Sequence, residues 1–472
     1  MAQTQVWSAL AGAVVLAGFW LYRINLSMHA VPREALERSP HRLTKREAQE
    51  AYERVKETPL DFAKSLPPRL DRRYIVIGGS GPAGIVAHAD SEPGLVGGDI
   101  VLQLLQRGQS PESIRIVDFQ PLVRGDMIKE ASACDLVRTD ITSPASVKAA
   151  FSKPWPVSVA DSPLTVFHTA ASIRFGERDI ILYDRLSRVN VGGTANVLAA
   201  AREAGADIFI ATSSASVAVT PVTIWQWPWH SVPKGYVQIF TEADFDAPLR
   251  PHSQFFANYG YSKAEAERLV CGANEDGFRT GTIRPGNGVY GQKNDVCVGQ
   301  TIQEGSIVSW TPHIIQNFVN SRNVSLAHLL FEAALARKPM PSCAGRPFVV
   351  SDPGPPICFR DFYSLITQLP VTPVTEAYPP PIMLLLLSHA IETYSLALAR
   401  LPFLKTVFGL KDLSGPLQNL QPAIFSVTAH TIADDSAVRR SVEEGGLGYS
   451  GVGTTVDGIC EQIVSWNREQ EQ

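Results

Sequence analysis

From Arg73 onward, short β-branched runs alternate with helix-forming stretches, and this alternation constrains the fold more than any other feature of the chain. The first run, YIVIGG from Tyr74 to Gly79, has the pattern of a strand buried on both faces that feeds a tight turn. IRIVDF (Ile114 to Phe119), LTVFHTAA (Leu164 to Ala171), DIFIATSS (Asp207 to Ser214) and TGTIRPG (Thr280 to Gly286) repeat it, with helical stretches such as IVLQLLQRG and VGGTANVLAAAREAG between them. The expected fold class is therefore α/β: a Rossmann-like, doubly wound parallel sheet over residues 73–290. Residues 25–72 are polar and charged and read as a linker or membrane-proximal arm, with one amphipathic helix over Thr44 to Glu57. Residues 291–472 read as a smaller, mixed substrate-binding and membrane-associated region.

The first 24 residues stand apart. The run from Val6 to Ile24 carries no charge before Arg23, and at a rise of about 1.5 Å per residue it comes close to spanning a bilayer core of roughly 30 Å. Trp7, Trp20 and Tyr22 sit near its ends, and basic residues from Arg23 to Arg46 follow it. A transmembrane anchor over residues 1–24 is expected, with the main body in the cytosol. A cleaved signal peptide would want a basic residue ahead of the run, and Met1 to Gln5 supplies none. A second apolar stretch, Ile382 to Leu401, is interrupted by His389, Glu392 and Arg400. A spanning helix would bear a cost of about 2.5–3.5 kcal/mol for Glu or Arg near mid-bilayer. A helix lying on the membrane or lining a substrate entrance, and a plain buried helix, are equally open there.

A net charge of −4 gives no electrostatic case for nucleic acid, so a small-molecule substrate is expected. The six cysteines form no CxxC pair, so neither a zinc site nor a disulfide scaffold is expected, and a reducing compartment fits.

The chemistry-bearing pattern is Tyr259-Gly260-Tyr261-Ser262-Lys263, followed by the helix-forming AEAERLV. Positions four apart share a helix face, so Tyr259 and Lys263 can point into one cleft. A phenol is a poor base at neutral pH, and a nearby ammonium favours its phenolate, which makes the pair a general acid/base. Upstream, Ser213 and Ser214 end a strand at the carboxyl edge of the sheet, where ligands bind in such folds and a hydroxyl can donate to a developing oxyanion. Downstream, IRPGNGVYG turns through Pro285 and Gly286 at the same edge, and Pro285 is counted among the expected cofactor contacts.

Strand-end serine, YxxxK helix and RPG strand, in that order, resemble the extended short-chain dehydrogenase/reductase superfamily. Within it the likeness is to the branch of the 3β-hydroxysteroid and sterol-4α-carboxylate 3-dehydrogenases. It is carried by FHTAAS, VNVGGTANVLAAARE, ATSSASV, YSKAEAERLV, NSRNVSLAHLLFEAAL and PFVVSDPGPPICFRDF, and covers roughly Arg73 to Trp466. The resemblance implies Tyr259 as catalytic base, Lys263 as the holder of the nicotinamide ribose, and Ser214 as the hydroxyl that positions the substrate oxygen. It implies NAD-dependent oxidation of a 3β-hydroxyl on a sterol-like substrate at the endoplasmic reticulum membrane. Whether C4 decarboxylation or double-bond isomerisation accompanies it is left open, as is a homodimer or a complex with other sterol enzymes. Alternatives are another enzyme of the superfamily, such as a nucleotide-sugar epimerase or a reductase, and a catalytically weak nucleotide-binding membrane protein.

The glycine-rich loop departs from the pattern. Gly78, Gly79, Ser80 and Gly81 are followed by PAGIVAHADSEP before Gly94-Leu95-Val96-Gly97. Gly84 closes one possible GxGxxG motif. If Gly97 closes it instead, Pro82 to Gly94 are an insertion, or a retained intron. Asp118 lies 21 residues beyond Gly97 and 34 beyond Gly84, and the expected spacing of about 20 favours Gly97. Gly78, Gly81 and Gly97 are thus the expected pyrophosphate-loop glycines. Asp118 can bond the adenosine ribose and repel a 2′-phosphate, favouring NAD over NADP. Asp140 faces the adenine or caps a helix. The aromatic stretch TIWQWPWH (Thr223 to His230) either clamps an apolar ligand, dips into a membrane interface or packs locally.

Overall fold

The structure, a computed structural model, describes residues 2–79 and 94–471. Gly81, Gly84 and the expected insertion up to residue 93 lie outside the described residues. Seven strands form the central sheet: β1 (Arg73–Ile77), β2 (Ile114–Asp118), β3 (Asp135–Arg138), β4 (Leu164–His168), β5 (Ala206–Thr212), β6 (Arg279–Pro285) and β7 (Pro347–Val350). Their order is β3-β2-β1-β4-β5-β6-β7 and every pairing is parallel. The expected Rossmann-like doubly wound sheet is therefore present.

Because every strand points the same way, all their carboxyl ends lie along one edge, and the strand order reverses between β1 and β4. The strands read as continuous apolar runs because both faces are covered. Tyr74 and Val76 pack with Ile100 and Leu104 of α3 (Leu95–Gln106) and Phe331 of α6 (Ser321–Leu335). Ile75 and Ile77 face the other way, against Val197 and Ala201 of α4 (Thr194–Glu203). Alternate residues of one strand thus serve two cores, as the two-residue period requires.

The parts lie differently from the division at residues 72 and 290. The seventh strand of the sheet and helix α6 come from beyond residue 290. Residues 25–72, expected as a linker, are folded onto the body: helix α2 (Lys45–Glu57) opens on a Thr44/Glu47 capping box and buries Tyr52 and Val55 beside Ile459 and Ile463 of α8 (Thr455–Gln470). Asn323, which opens the glycosylation-acceptor-like triplet Asn323-Val324-Ser325, is fully buried and bonded to Asp352 and Val452. In the folded domain no glycan fits there from either side of a membrane.

Helix α1 (Ala2–Ser27) is exposed along most of its length; Trp20 and Arg23 bond the loop at Gln226 and Pro228, and Ile24 and Met28 join a cluster with Ile224, Leu385 and Phe425. It and α7 (Pro381–Arg400) are long and apolar enough to cross a membrane, by length and composition.

Among the described residues His168, His328 and His430 are buried and His313 is half-buried, and desolvation lowers their pKa values to about 3 for His168 and about 4 for the other three. The unfolded chain protonates them near 6.5, so below that pH it binds more protons than the native state. Stability from these groups is complete above about pH 6.5 and is lost as the pH falls towards 4. Urea titrations are expected to give a lower unfolding free energy at pH 5 than at pH 7.5, and a shallower loss in His328→Leu. A stability independent of pH over that interval would show that these histidines are not held neutral.

Candidate active site

The site is built where the sheet reverses. Leaving β1, the chain turns through Gly78 at φ 85°, a conformation open to glycine. Helix α3 then begins on Gly94 without a side-chain cap, and its Gly97 presses on that turn. A Cβ on Gly97 would lie 2.4 Å from the Gly78 carbonyl oxygen and 2.6 Å from Thr169 Oγ1. Thr169 Oγ1 in turn donates to the Ile77 carbonyl at 2.8 Å. Close helix-to-strand packing, the task of the last glycine in a dinucleotide loop, falls on Gly97. The uncapped first turn of α3 opens on a cleft lined by Gly94, Leu95, Val96, Ser214, Tyr259 and Lys263, among others.

Asp118 ends β2 beside this turn, since Gly78 N donates to Val117 O at 2.9 Å. Its Oδ1 accepts from Gln120 N at 3.0 Å. Asp140 is engaged locally: Oδ1 accepts from Thr142 N at 2.9 Å and Thr142 Oγ1 at 2.8 Å. The following helix, Pro144–Ser152, is capped by Ser143, so Asp140 closes a turn instead of capping it.

Helix α5 (Asn258–Gly272) carries Tyr259 and Lys263 on one face. Tyr259 is only 5% exposed, and the ring of Phe175 meets it edge-on, with centroids 5.4 Å apart. Lys263 Nζ donates to Thr212 O at 2.7 Å, and burial pulls its ammonium down to about 8 while the Glu267 carboxylate opposes that fall. Ser214 opens a 3₁₀ turn over Ala215–Ala218, and its Oγ accepts from Ser216 N at 3.2 Å and Ser216 Oγ at 2.8 Å. Two accepted bonds use both lone pairs of a hydroxyl and leave its proton to donate. Ser213 and Pro285 line the same cleft. The structure thus brings Ser214, Tyr259, Lys263, Pro285 and the start of α3 together, with Gly78, Gly97 and Asp118 at the adjoining turn, and leaves Asp140 in its own loop.

Besides Thr169, two contributors escaped the sequence reading. Asn190 lies in a π-helical turn (Arg188–Gly193) that leads into α4. Its side chain bonds Ser172 N at 2.7 Å, Ser172 O at 2.9 Å and Ser262 Oγ at 3.0 Å, tying the loop after β4 to the helix of Tyr259. The Gly192-Gly193 pair was the available signal, since a Cβ on Gly193 would meet Ile141 at 2.8 Å. The second is His328. Its Nδ1 lies 2.8 Å from Val324 O and so carries the proton, leaving Nε2 to accept from Thr212 Oγ1 at 2.9 Å. The residue whose carbonyl holds Lys263 is therefore itself held from below the sheet.

With this geometry in place, comparison with known proteins is direct. The model of the 3-beta hydroxysteroid dehydrogenase/isomerase family matches residues 92–372. The chain belongs to that family. The match opens just ahead of Gly94, where α3 begins. Among relatives, short-chain dehydrogenase/reductase family 42E member 1 of Mus musculus is 28% identical over 245 residues, 49% of this chain and 56% of its own length. The chain thus spans little more than half of that protein. The sterol-4-alpha-carboxylate 3-dehydrogenase, decarboxylating, of Schizosaccharomyces pombe is 27% identical over 309 residues, 63% of this chain and 79% of that one. Among solved structures, an epimerase of Methanothermobacter thermautotrophicus aligns over 87% of this chain and 96% of its own, with TM-score 0.54 and 15% identity. The dTDP-glucose 4,6-dehydratase of Streptomyces venezuelae aligns over 84% and 98%, with TM-score 0.53 and 16% identity. Both likenesses are of fold.

The packing of α3 on β1 is directly testable in this family member. Gly97→Ala drives a Cβ into backbone, and such overpacking typically costs about 1–3 kcal/mol. Denaturant titration is the measurement, and an unchanged midpoint would show that α3 does not press on Gly78.

Proposed function

We propose that this protein is an NAD-dependent dehydrogenase that oxidises a 3β-hydroxyl on a sterol or steroid-like substrate. The observation that carries the reading is the convergence of Tyr259, Lys263 and Ser214 on one cleft at the carboxyl edge of the sheet, beside the uncapped start of α3. Family membership supports it, and so does the likeness to the fission-yeast sterol-4-alpha-carboxylate 3-dehydrogenase.

The residues present fit the dinucleotide. The uncapped N-terminal turn of α3 offers backbone N–H groups and the positive end of a helix dipole to a pyrophosphate. Asp118 at the end of β2 would take the adenosine ribose, and Lys263 the nicotinamide ribose. When bound, NAD accepts a hydride from the carbinol carbon. Tyr259, as phenolate beside the Lys263 ammonium, takes the hydroxyl proton. Ser214 donates its remaining proton to the substrate oxygen as the C=O bond forms. Phe175 and the buried setting of Tyr259 keep water from the phenol. On a substrate with a C4 carboxylate the product is a β-keto acid, which loses carbon dioxide readily.

Helix α1 would anchor the protein in the endoplasmic reticulum membrane with the catalytic domain in the cytosol. That placement is supported by the apolar run and the basic residues after it.

Tyr259→Phe is expected to lower the rate of NAD reduction with a 3β-hydroxysterol by at least about 10²-fold. An unchanged rate would remove Tyr259 as the base. Asp118→Asn is expected to narrow a preference for NAD over NADP, read as the ratio of kcat/KM for the two. A wild-type enzyme that used NADP better would show that Asp118 does not meet the ribose.

A further inference from the structure

Helix α7 keeps an apolar stripe on its outer face and turns its mid-length ionisable groups inward. Its ionisable groups at mid-length face the body: Glu392 takes the guanidinium of Arg178 on both oxygens, at 2.7 and 2.9 Å, and His389 Nε2 accepts from Trp225 Nε1 at 2.9 Å. Its outer face carries Met383, Leu386, Leu387 and Ala390, with Met383 62% exposed. Spacings of three and four make these one stripe. In water an amphipathic helix places such a stripe inward and its charges outward. Here the body-facing side joins Leu385, Ser388 and Ile391 to the two ionisable groups, whose bonds hold them inward, while the apolar stripe stays outward.

The stripe has neighbours of the same character. Trp227 and Trp229 stack with ring centroids 5.1 Å apart and planes 4° from parallel, yet they are 65% and 68% exposed. Their loop grips α1: Trp225 lies 5.4 Å from Trp20, Trp20 Nε1 donates to Gln226 O at 2.8 Å, and Arg23 Nε donates to Pro228 O at 2.8 Å. Exposed apolar groups from two distant stretches of sequence are thereby gathered at the foot of an exposed apolar helix. Where a helix of that length and composition enters a bilayer, its foot lies at the head-group boundary, a place that paired tryptophans suit.

We propose that this face is a bilayer-docking surface, in which the outer stripe of α7 and the Trp227–Trp229 pair seat in the membrane that α1 enters. We further infer, resting on the proposed activity, that the sterol-like substrate reaches Tyr259 from that membrane past the one-turn helix Ile424–Val427. Val427 lines the catalytic cleft, whereas Ile424 and Phe425 pack with Ile24 and Leu385 at the foot of α1. A single helical turn, about 5.4 Å of rise, separates the two environments.

The test uses the full chain in phosphatidylcholine nanodiscs, with nitroxide labels at Leu387→Cys, Trp229→Cys and, as a control on another surface, Lys148→Cys. Labels at 387 and 229 are expected to relax by collision with oxygen and to be shielded from a water-soluble nickel chelate, while the label at 148 meets the chelate. Equal access of the chelate at 387 and 148 would overturn the docking surface. Dipolar broadening between labels on two copies would overturn it as well, by showing that a second chain covers the face. In an activity arm, Leu386→Glu/Leu387→Glu is expected to slow oxidation of a 3β-hydroxysterol held in phosphatidylcholine vesicles by about tenfold, with little change when cyclodextrin delivers the same sterol. An equal fall in both presentations would remove the membrane entrance. No oxidation by the wild type in either would remove the proposed activity and the entrance that rests on it, with docking still decided by the labels.

Discussion

The contact on which the rest of the site depends is the one between Gly97 and Gly78. It sets how far α3 can advance over the end of β1, and hence where the helix N-terminus opens on the cleft. Neither partner tolerates a side chain: Gly78 has a positive φ and lies against the backbone of Ala170, and Gly97 lies against the Gly78 carbonyl. Thr169 locks the arrangement from β4 through its bond to Ile77. Three chain segments at the switch point are thus fixed by contacts that leave no slack, and the cleft takes its shape from them.

Polar groups under the sheet edge then hold the side chains that line the cleft. Lys263 is buried, and its ammonium is placed by a backbone carbonyl, with the charge of Glu267 nearby. That carbonyl belongs to Thr212, whose hydroxyl is tied to His328, whose other nitrogen is tied to Val324. Asn190 does comparable work for the neighbouring turn by bonding Ser172 and Ser262. Buried bonds of this kind are costly to leave unmade, so each restricts its partner to one position.

The sheet was legible because its signals are local and dense: the β-branched runs YIVI and IRIVD are buried on both faces, and no other pattern fits them. Tyr259 and Lys263 were legible for the same reason, since four residues on a helix suffice to juxtapose them. Thr169, Asn190 and His328 were not. Their partners lie 92, 18 and 116 residues away in sequence, and only the folded sheet brings those positions together. The arm over residues 25–72 was misjudged as a linker because polar composition conceals the small apolar face, Ala48, Ala51, Tyr52 and Val55, that α2 buries. Glu392 and His389 made a spanning role for α7 costly, but the sequence could not show that these groups turn inward.

That inward turn joins the periphery to the cleft. The loop that runs through residues 174–179 carries Phe175, whose ring edges onto Tyr259, and Arg178, which takes Glu392 of α7. The next residue, Asp179, pairs with Arg400 at the other end of α7 and accepts from Asn258 Nδ2, one residue before Tyr259. Glu177 O accepts from Asn258 N at 2.8 Å. One short loop therefore holds the first turn of the Tyr259 helix with one set of bonds and the outward-facing helix with another. Its ion pairs lie on the sheltered side of α7, where a partner on the apolar side would leave them intact. A shift of α7 relative to the body would strain the bonds to Arg178 and Asp179, which adjoin the residues that hold the first turn of the Tyr259 helix.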